Sequence, residues 1–306
     1  MRLRSIFGVW RSALAGWWND NVPRMGASLS YYTLFSLAPI LVIAIAIAGA
    51  VFGEDAARGE ITRQLSGLVG GVGAQAIEDV VRQAQQSPRT GLASVLGVLT
   101  LVFGAGGVFA ELETALNDIW KVESKTAGRG LIGMLVDRLI SFGLVAAAGF
   151  LLLASLLVSA ALAALGQYLH ASVTLPELVW QGLDLLVSLA VITTLFALIY
   201  RVLPNVLLRP RDLWVGAAVT AVLFSIGKLG IGLYLGHSTF ASAYGAAGSV
   251  VVLIAWVYYA AQVVLLGAEF TKSYAAARHP TDPARAKTRP REQPAGAVDA
   301  ARAAKR

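Results

Sequence analysis

Long apolar stretches, separated by shorter polar connections, dominate the pattern of hydrophobic and polar positions along the chain. The first stretch, residues 29–52, contains no charged side chain. At about 1.5 Å per helical residue it is longer than the hydrocarbon core of a bilayer, which is about 30 Å thick. Further apolar stretches of helical length follow at about residues 91–109, 139–165, 183–203, 213–235 and 246–268. The pattern predicts six membrane-spanning helices within residues 29–270.

Three segments outside the spans have different patterns. Residues 1–28 place aromatic and aliphatic side chains at helical spacing with arginines between them, which predicts a cytoplasmic helix lying at the membrane interface. Residues 53–90 carry two amphipathic patterns broken by glycines, which predicts helices on the outer face of the bilayer. Residues 275–306 are rich in Ala, Arg and Pro without an apolar period, and we expect this basic cytoplasmic tail to be disordered.

The composition supports a membrane protein. Hydrophobic residues make up 57% of the chain and charged residues only 14%, whereas about 25% charged residues is usual for a soluble protein. Because the apolar residues occur in long blocks rather than short alternating segments, the predicted fold class is all-α, a polytopic bundle of six transmembrane helices, and not a β-barrel. The chain contains no cysteine, so disulfides and thiolate metal sites are excluded.

The distribution of basic residues predicts the orientation of the bundle. Most Lys and Arg side chains lie before the first span, after the second, after the fourth and in the tail. These segments are all on one side of the membrane when six spans alternate, and basic loops favour the cytoplasm. We therefore expect both termini in the cytoplasm. The net charge of +7 is then a topology signal, and nucleic acid is not an expected partner.

Five short motifs carry a resemblance to a known family. They are the run Ala27-Ser28-Leu29-Ser30-Tyr31-Tyr32-Thr33-Leu34-Phe35-Ser36-Leu37-Ala38-Pro39, then Leu116-Asn117-Asp118-Ile119-Trp120, Leu203-Pro204-Asn205, Tyr244-Gly245-Ala246 and Gly267-Ala268-Glu269. In these motifs the chain resembles the YihY/BrkB family of bacterial inner-membrane proteins, formerly mislabelled ribonuclease BN. The resemblance implies a six-span protein associated with serum resistance, some relatives of which are linked to export of lipid A precursors. It implies no catalytic residues.

Lys228 lies inside the predicted fifth span and is a candidate contact for an anionic substrate. An unpaired Lys near the bilayer centre costs about 2.5–3.5 kcal/mol, so such a residue faces a cavity, pairs or snorkels. Asp184, near the outer end of the fourth span, is the carboxylate closest in predicted depth and is a candidate partner. The alternative is that Lys228 snorkels to the outer interface, because few residues follow it in the span.

The inner ends of two spans carry a second group of polar candidates. Glu113 and Asn117, spaced four apart at the end of the second span, share a helix face, and Glu269 ends the sixth span. A cation or proton site is one interpretation, and a solvated helix end with structural hydrogen bonds is the other. Pro39 predicts a kink in the first span, either near a substrate pathway or as a simple packing irregularity.

Enzyme signatures do not occur in the sequence. It has no phosphate-binding glycine loop, nucleophile elbow or dinucleotide fingerprint, and its three histidines are isolated. We therefore expect no enzymatic activity, cofactor or metal. The leading hypothesis is transport or handling of a lipid or other amphipathic envelope molecule; a structural scaffold is the alternative, and a membrane-associated ribonuclease is a remote one. Expected partners are membrane lipids, with anionic lipids at the basic tail, and the glycine-rich faces allow a homo-oligomer.

Overall fold

The computed structural model describes residues 3–36, 107–123, 177–237, 248–279 and 285–286, and the single positions 53, 59, 78, 143, 147 and 151. These residues are almost entirely helical. Helix α1 is Leu3–Asn19, α2 covers residues 22–36 and α3 covers residues 107–120. Helices α4, α5 and α6 are Glu177–Val202, Pro210–His237 and Gly248–Arg278. Strands β1, Val206–Leu207, and β2, Arg285–Ala286, pair antiparallel.

Helices α4, α5 and α6 are long and apolar enough to cross a membrane. Their candidate membrane segments are Leu185–Val202, Pro210–Ile231 and Val250–Arg278, which overlap the predicted fourth, fifth and sixth spans. The helical class and the membrane character are thus confirmed for this part of the chain. Most of the predicted first three spans and of segment 53–90 lies outside the described residues. The count of six spans and the location of both termini therefore stay predictions.

Proline and charged residues mark the reversal of the chain between α4 and α5. Helix α4 has Arg201 in its last turn, where a cation interacts favourably with the helix dipole. Pro204 follows shortly after and cannot continue the helix. Helix α5 begins at Pro210, a residue suited to the first helical position, and has Asp212 in its first turn. Local sequence alone therefore accounts for where these two helices end and begin.

Helices α5 and α6 pack closely through two reciprocal pairs of glycine and threonine. A Cβ atom on Gly216 of α5 would collide with Thr271 of α6, and a Cβ atom on Gly267 of α6 would collide with Thr220 of α5. Each threonine hydroxyl donates a hydrogen bond within its own helix, Thr220 to the Gly216 carbonyl at 2.8 Å and Thr271 to the Gly267 carbonyl at 2.7 Å. Small residues thus bring the two backbones together, as is common for membrane helices.

Tyr200 attaches α4 to this contact. It is fully buried, its hydroxyl donates to the Val264 carbonyl of α6 at 2.7 Å, and it lies 3.1 Å from the Thr220 hydroxyl of α5. A series of aromatic rings extends the contact from Tyr200 along the three helices, through Phe196, Phe224 and Trp256. The core of the described region therefore lies between α4, α5 and α6, and buried residues of α2 and α3 belong to the same cluster.

Helix α1 packs against the C-terminal half of α6. Its Val9 and Ala13 are buried together with Phe270, and the Trp10 ring centroid is 4.8 Å from that of Phe270. Gly16 continues this face, because a Cβ atom there would collide with the Glu269 carboxyl group. The missing side chain of Gly16 thus leaves room for a charged residue of α6 beside the α1 backbone.

The predicted N-terminal helix at residues 1–28 is in fact two helices. A turn at Asn21 separates α1 from α2, and the φ angle of Asn21 is 55°, a left-handed conformation that Asn tolerates better than most residues. In α1, Phe7 is 75% and Trp18 is 72% exposed, and the interfacial location of this segment stays a prediction. The helix therefore has one apolar face on the protein and another that faces outward.

The start of the tail that we expected to be disordered is ordered. Helix α6 continues to Arg278, and Arg285 and Ala286 pair with Leu207 and Val206 in the two strands. Because this pairing uses backbone groups, the side-chain pattern of residues 275–306 does not predict it. Apart from His279, the other residues of the tail after Arg278 lie outside the described residues.

Replacing Gly216 by Ala is expected to lower the thermal stability of the purified protein. The added methyl group must displace Thr271, and overpacking of this kind costs about 1–3 kcal/mol. Gly230 of the same helix has open space around it, so Gly230→Ala is the matched control and gains up to about 1 kcal/mol of helix propensity. Thermal unfolding in detergent, followed by tryptophan fluorescence, measures both. Equal melting temperatures for the two variants would contradict the close α5–α6 contact.

Candidate functional site

Polar side chains from five helix ends meet at one end of the bundle. These ends are the starts of α2 and α5 and the ends of α3, α4 and α6, and hydrogen bonds or ion pairs connect them. We call this region the polar end; it corresponds to the side predicted to be cytoplasmic. It contains an amide cluster (Glu113, Asn117, Asn205), a carboxyl–lysine cluster (Asp20, Lys121, Glu269, Lys272) and an Asp212 cluster (Asp212, Arg209, Arg278, His279).

The amide cluster joins α3 to the loop after α4. The Asn205 backbone N–H donates to Asn117 Oδ1 at 2.8 Å, and the Asn205 side-chain amide donates to Glu113 Oε1 at 3.3 Å and to the Glu123 carbonyl at 3.3 Å. Asn117 and Asn205 are both buried. Two motifs that are far apart in sequence, at 116–120 and 203–205, are therefore in direct contact. The sequence analysis named Glu113 and Asn117 but not Asn205, although Asn205 closes one of the motifs.

The carboxyl–lysine cluster joins α6, the α1–α2 turn and the end of α3. Lys272 Nζ lies 3.2 Å from both Asp20 Oδ2 and Glu269 Oε2. Lys121 Nζ lies 2.7 Å from Asp20 Oδ1 on the solvent side. The Glu269 side chain is only 1% exposed, and among the described residues its Oε1 atom has no hydrogen-bond partner. Sequence analysis found Glu269 but missed Asp20, which adjoins the break between two helices.

The electrostatic balance at Asp20 favours its ionised form. Burial acts to raise the pKa of the Asp20 carboxyl, but its interactions with Glu269, Lys121 and Lys272 outweigh burial, and the pKa is lowered. Asp20 is therefore ionised at neutral pH. Glu269 must share the Lys272 ammonium with the negative charge of Asp20.

The Asp212 cluster connects the start of α5 to the end of α6. The Asp212 side chain is 1% exposed and lies 3.5 Å from Arg278 Nη1 and 3.6 Å from His279 Nε2. Arg209 approaches the same histidine, with Nη1 at 2.6 Å from Nδ1. A carboxylate in the first turn of a helix is also stabilised by the helix dipole. The cluster thus holds the last turn of α6 against the first turn of α5.

Gln262 connects α6 to both N-terminal helices. Its Oε1 accepts a hydrogen bond from Trp17 Nε1 at 3.0 Å, and its Nε2 donates to the Val22 carbonyl at 3.4 Å. Gly26 of α2 faces the same side chain, and a Cβ atom there would collide with it. Sequence patterns do not single out Gln262, because one Gln in an apolar span carries no motif or spacing that indicates its partners.

Lys228 lies near the end of α5 that is remote from the polar end. The candidate membrane segment of α5, Pro210–Ile231, ends three residues beyond it. Lys228 is half-buried, whereas its neighbours Ile226 and Leu229 are 64% and 67% exposed. The lysine therefore occupies the edge of the outward-facing apolar surface of the helix.

Helices α4 and α5 run antiparallel from a short connection, and Tyr200 of α4 lies beside Thr220 of α5. The side chain of Asp184 lies outside the described part of the structure, so its pairing with Lys228 stays a prediction. The last candidate, Pro39, lies outside the described residues.

The described part of the chain shows no arrangement for a metal ion and contains a small cavity. No group of three or more His, Asp or Glu side chains there is arranged to hold a metal ion. A small cavity of about 100 Å³ lies between the end of α4 and the start of α5 and is lined by Arg201, Val206, Leu207, Leu208, Pro210 and Leu213. It has room for a few water molecules rather than for a lipid.

Several apolar helices that can each cross a bilayer, joined by polar contacts at one end, define a polytopic α-helical membrane protein. The family model described as virulence factor BrkB matches residues 13–292 of the chain. The chain belongs to this family, which confirms the resemblance in its motifs.

Curated bacterial relatives support the same assignment. A UPF0761 membrane protein of Alkalilimnicola ehrlichii is 31% identical over 267 residues, which cover 83% of this chain and 56% of the relative. One of Ralstonia nicotianae is 32% identical over 265 residues, covering 84% of this chain and 56% of the relative. One of Rhodospirillum centenum is 30% identical over 275 residues. The chain thus spans a little over half the length of these relatives. No solved structure matches it.

Replacing Asn205 by Ala is expected to lower the unfolding free energy by about 1–3 kcal/mol, because Glu113 and the Glu123 carbonyl each lose a donor in a buried site. Thermal unfolding in detergent measures the loss. Asn19, which is exposed at the end of α1, provides the matched control, and Asn19→Ala should change the melting temperature little. If both substitutions have the same small effect, the amide cluster does not hold α3 to the α4–α5 connection.

Proposed function

We propose that this member of the BrkB family moves or handles a lipid or another anionic amphipathic molecule of the cell envelope, without enzymatic activity of its own. The observation that carries the proposal is Lys228, a cation in the apolar part of α5. Ionisable residues within membrane helices are costly and commonly mark the path of a substrate or ion. Membership of a membrane-protein family is consistent with the proposal but does not by itself indicate an activity.

The depth of Lys228 in the membrane is suited to contact with an anionic lipid headgroup. Helix α5 starts at Pro210 at the polar end, and eighteen residues of helix separate Pro210 from Lys228, a distance of about 27 Å. The ammonium group is therefore close to the opposite boundary of a hydrocarbon core that is about 30 Å thick. Even if the side chain snorkels, its charge lies where the phosphate or carboxylate of an amphipathic molecule lies. The anionic group of the molecule and the Lys228 ammonium then lie at the same depth in the membrane.

An exposed aromatic surface on α2 suits the apolar part of such a molecule. Tyr31 is 61% and Phe35 is 58% exposed, and their ring centroids are 4.9 Å apart. Tyr32 adds a third ring, edge-on to Tyr31 at 5.7 Å. Tyrosine is favoured near membrane interfaces, where one part of the ring is apolar and the hydroxyl is solvated.

Replacing Lys228 by Met is expected to slow lipid movement by the reconstituted protein about tenfold, which corresponds to about 1.4 kcal/mol of lost attraction for the headgroup. The probe is fluorescent phosphatidylglycerol in phosphatidylcholine vesicles, and its movement between leaflets is followed by dithionite quenching. Lys228→Arg, which keeps the charge, is the matched control and should retain the rate. Equal rates for wild type and Lys228→Met would overturn the role of Lys228. A wild-type rate no higher than that of empty vesicles would count against transport of this lipid class.

A scaffold of the cell envelope is the second candidate function, and the outward face of α1 favours it. Phe7, Leu14 and Trp18 are 75%, 53% and 72% exposed, and their spacing places them with Arg11 along one side of the helix. An exposed apolar face of this kind marks a site of interaction with a membrane or with a partner helix. Under the leading proposal the exposed face of α1 contacts lipid, whereas in a scaffold this face would bind another protein.

Photo-crosslinking from position 7 of α1 separates the two functions. With a photoreactive phenylalanine derivative in place of Phe7, we expect phospholipid adducts in cell membranes, because the exposed ring faces the apolar region. Ser12, which is exposed on a different side of α1, is the control position and should give no lipid adduct. A single discrete protein adduct from position 7, with none from position 12, would favour the scaffold instead. Mass spectrometry of the adducts identifies which is formed.

A further inference from the structure

The carboxyl–lysine cluster contains a buried carboxyl group that its surroundings do not fully satisfy. Glu269 is 1% and Asp20 is 10% exposed, and both lie 3.2 Å from the same Lys272 ammonium. Glu269 uses only its Oε2 atom in this contact, since Oε1 is buried and has no hydrogen-bond partner among the described residues. Helix α1 closes over the group with Gly16, which has no side chain that could donate a hydrogen bond.

The charges around Glu269 do not suffice for two buried carboxylates. On its own helix it faces Lys272, from the α1–α2 turn it faces Asp20, and beyond Asp20 lies Lys121 from the end of α3. Lys121 is 57% exposed and contacts Asp20, so among the described residues Lys272 is the single ammonium in contact with Glu269. A buried carboxylate that has one oxygen atom without a hydrogen bond and lies near a like charge is disfavoured relative to its protonated form.

We propose that Asp20 and Glu269 together form a proton-binding site, in which Glu269 takes one proton from water at neutral pH while Asp20 remains ionised between the two lysines. The proton adds an O–H bond to the Glu269 carboxylate and removes its negative charge. The remaining charge on Asp20 is then balanced by Lys272 and Lys121. The site is separate from Lys228 and does not depend on the proposed function, because it lies at the polar end.

Proton binding at this site affects how the N-terminal helices attach to α6. Asp20 lies in the turn between α1 and α2, and Lys272 links that turn to α6. Loss of the proton leaves two carboxylates that must share the Lys272 ammonium, with Lys121 in contact with Asp20, and this weakens the attachment of the turn. The protonated state therefore favours the arrangement of α1, α2 and α6 seen in the structure.

Infrared difference spectroscopy of the detergent-purified full chain tests the site directly. Between about pH 6 and about pH 9 the wild type is expected to lose one protonated-carboxyl band per chain. The band should be absent in Glu269→Gln, and in Asp20→Asn it should disappear at a lower pH because the neighbouring negative charge is gone. Glu111→Gln, which removes a carboxyl group of α3 outside the cluster, is the control and should leave the band unchanged.

Each outcome decides the proposal. A wild-type spectrum without a pH-dependent carboxyl band, or a band that persists in Glu269→Gln, would overturn it. Disappearance of the band at the same pH in Asp20→Asn and wild type would show that Glu269 titrates alone and would overturn the paired site. If Glu269→Gln does not fold, the wild-type and Asp20→Asn titrations still decide between these outcomes.

Thermal stability provides a second, independent measurement. A proton bound by the folded chain at a pH where the unfolded carboxyl is ionised makes the unfolding free energy fall as the pH rises. The wild-type melting temperature should therefore fall more steeply between about pH 6 and about pH 8 than that of Glu269→Gln. All other ionisable groups are common to both proteins, so the difference between the two slopes reports the Glu269 proton. Identical slopes would contradict the proposal.

Discussion

Close contact between α5 and α6 is the constraint on which the rest of the described structure depends. In lipid, apolar side chains gain little by leaving the hydrocarbon for one another, so helices associate through close packing and polar contacts. Gly216 leaves room for Thr271, and Gly267 leaves room for Thr220. Both threonine hydroxyls donate hydrogen bonds within their own helices. The contact therefore buries polar side chains without leaving their donors unpaired. Tyr200 then adds α4 to the same surface.

The polar end depends on this packing, but its contacts are made by polar and charged side chains. With the helices held together, five helix ends bring amides, carboxylates and basic side chains within hydrogen-bonding distance. The amide cluster around Asn205 is satisfied, whereas Glu269 is buried with an oxygen atom that has no partner among the described residues. Lys228 lies near the opposite boundary of the apolar region. The bundle thus separates a site suited to proton binding from a site suited to an anionic headgroup.

Much of the fold could be predicted because lipid imposes simple rules on sequence. The lengths of the apolar segments predicted the helices that became α4, α5 and α6, and Pro210 and Pro204 agree with their boundaries. Two features could not be predicted in this way. The turn at Asn21 divides a segment whose apolar period continues on both sides, and the pairing of Arg285 and Ala286 with β1 involves backbone groups alone.

The sequence by itself determined the class of protein, the family and the types of residue available for a site, because hydropathy, charge and short motifs are local properties. Only the tertiary structure decided which of those residues meet. Asn117 and Asn205 are in contact across 88 positions of sequence, and Lys272 and Asp20 across 252. Partners are set by how helices pack, and hydrophobic pattern does not encode that packing.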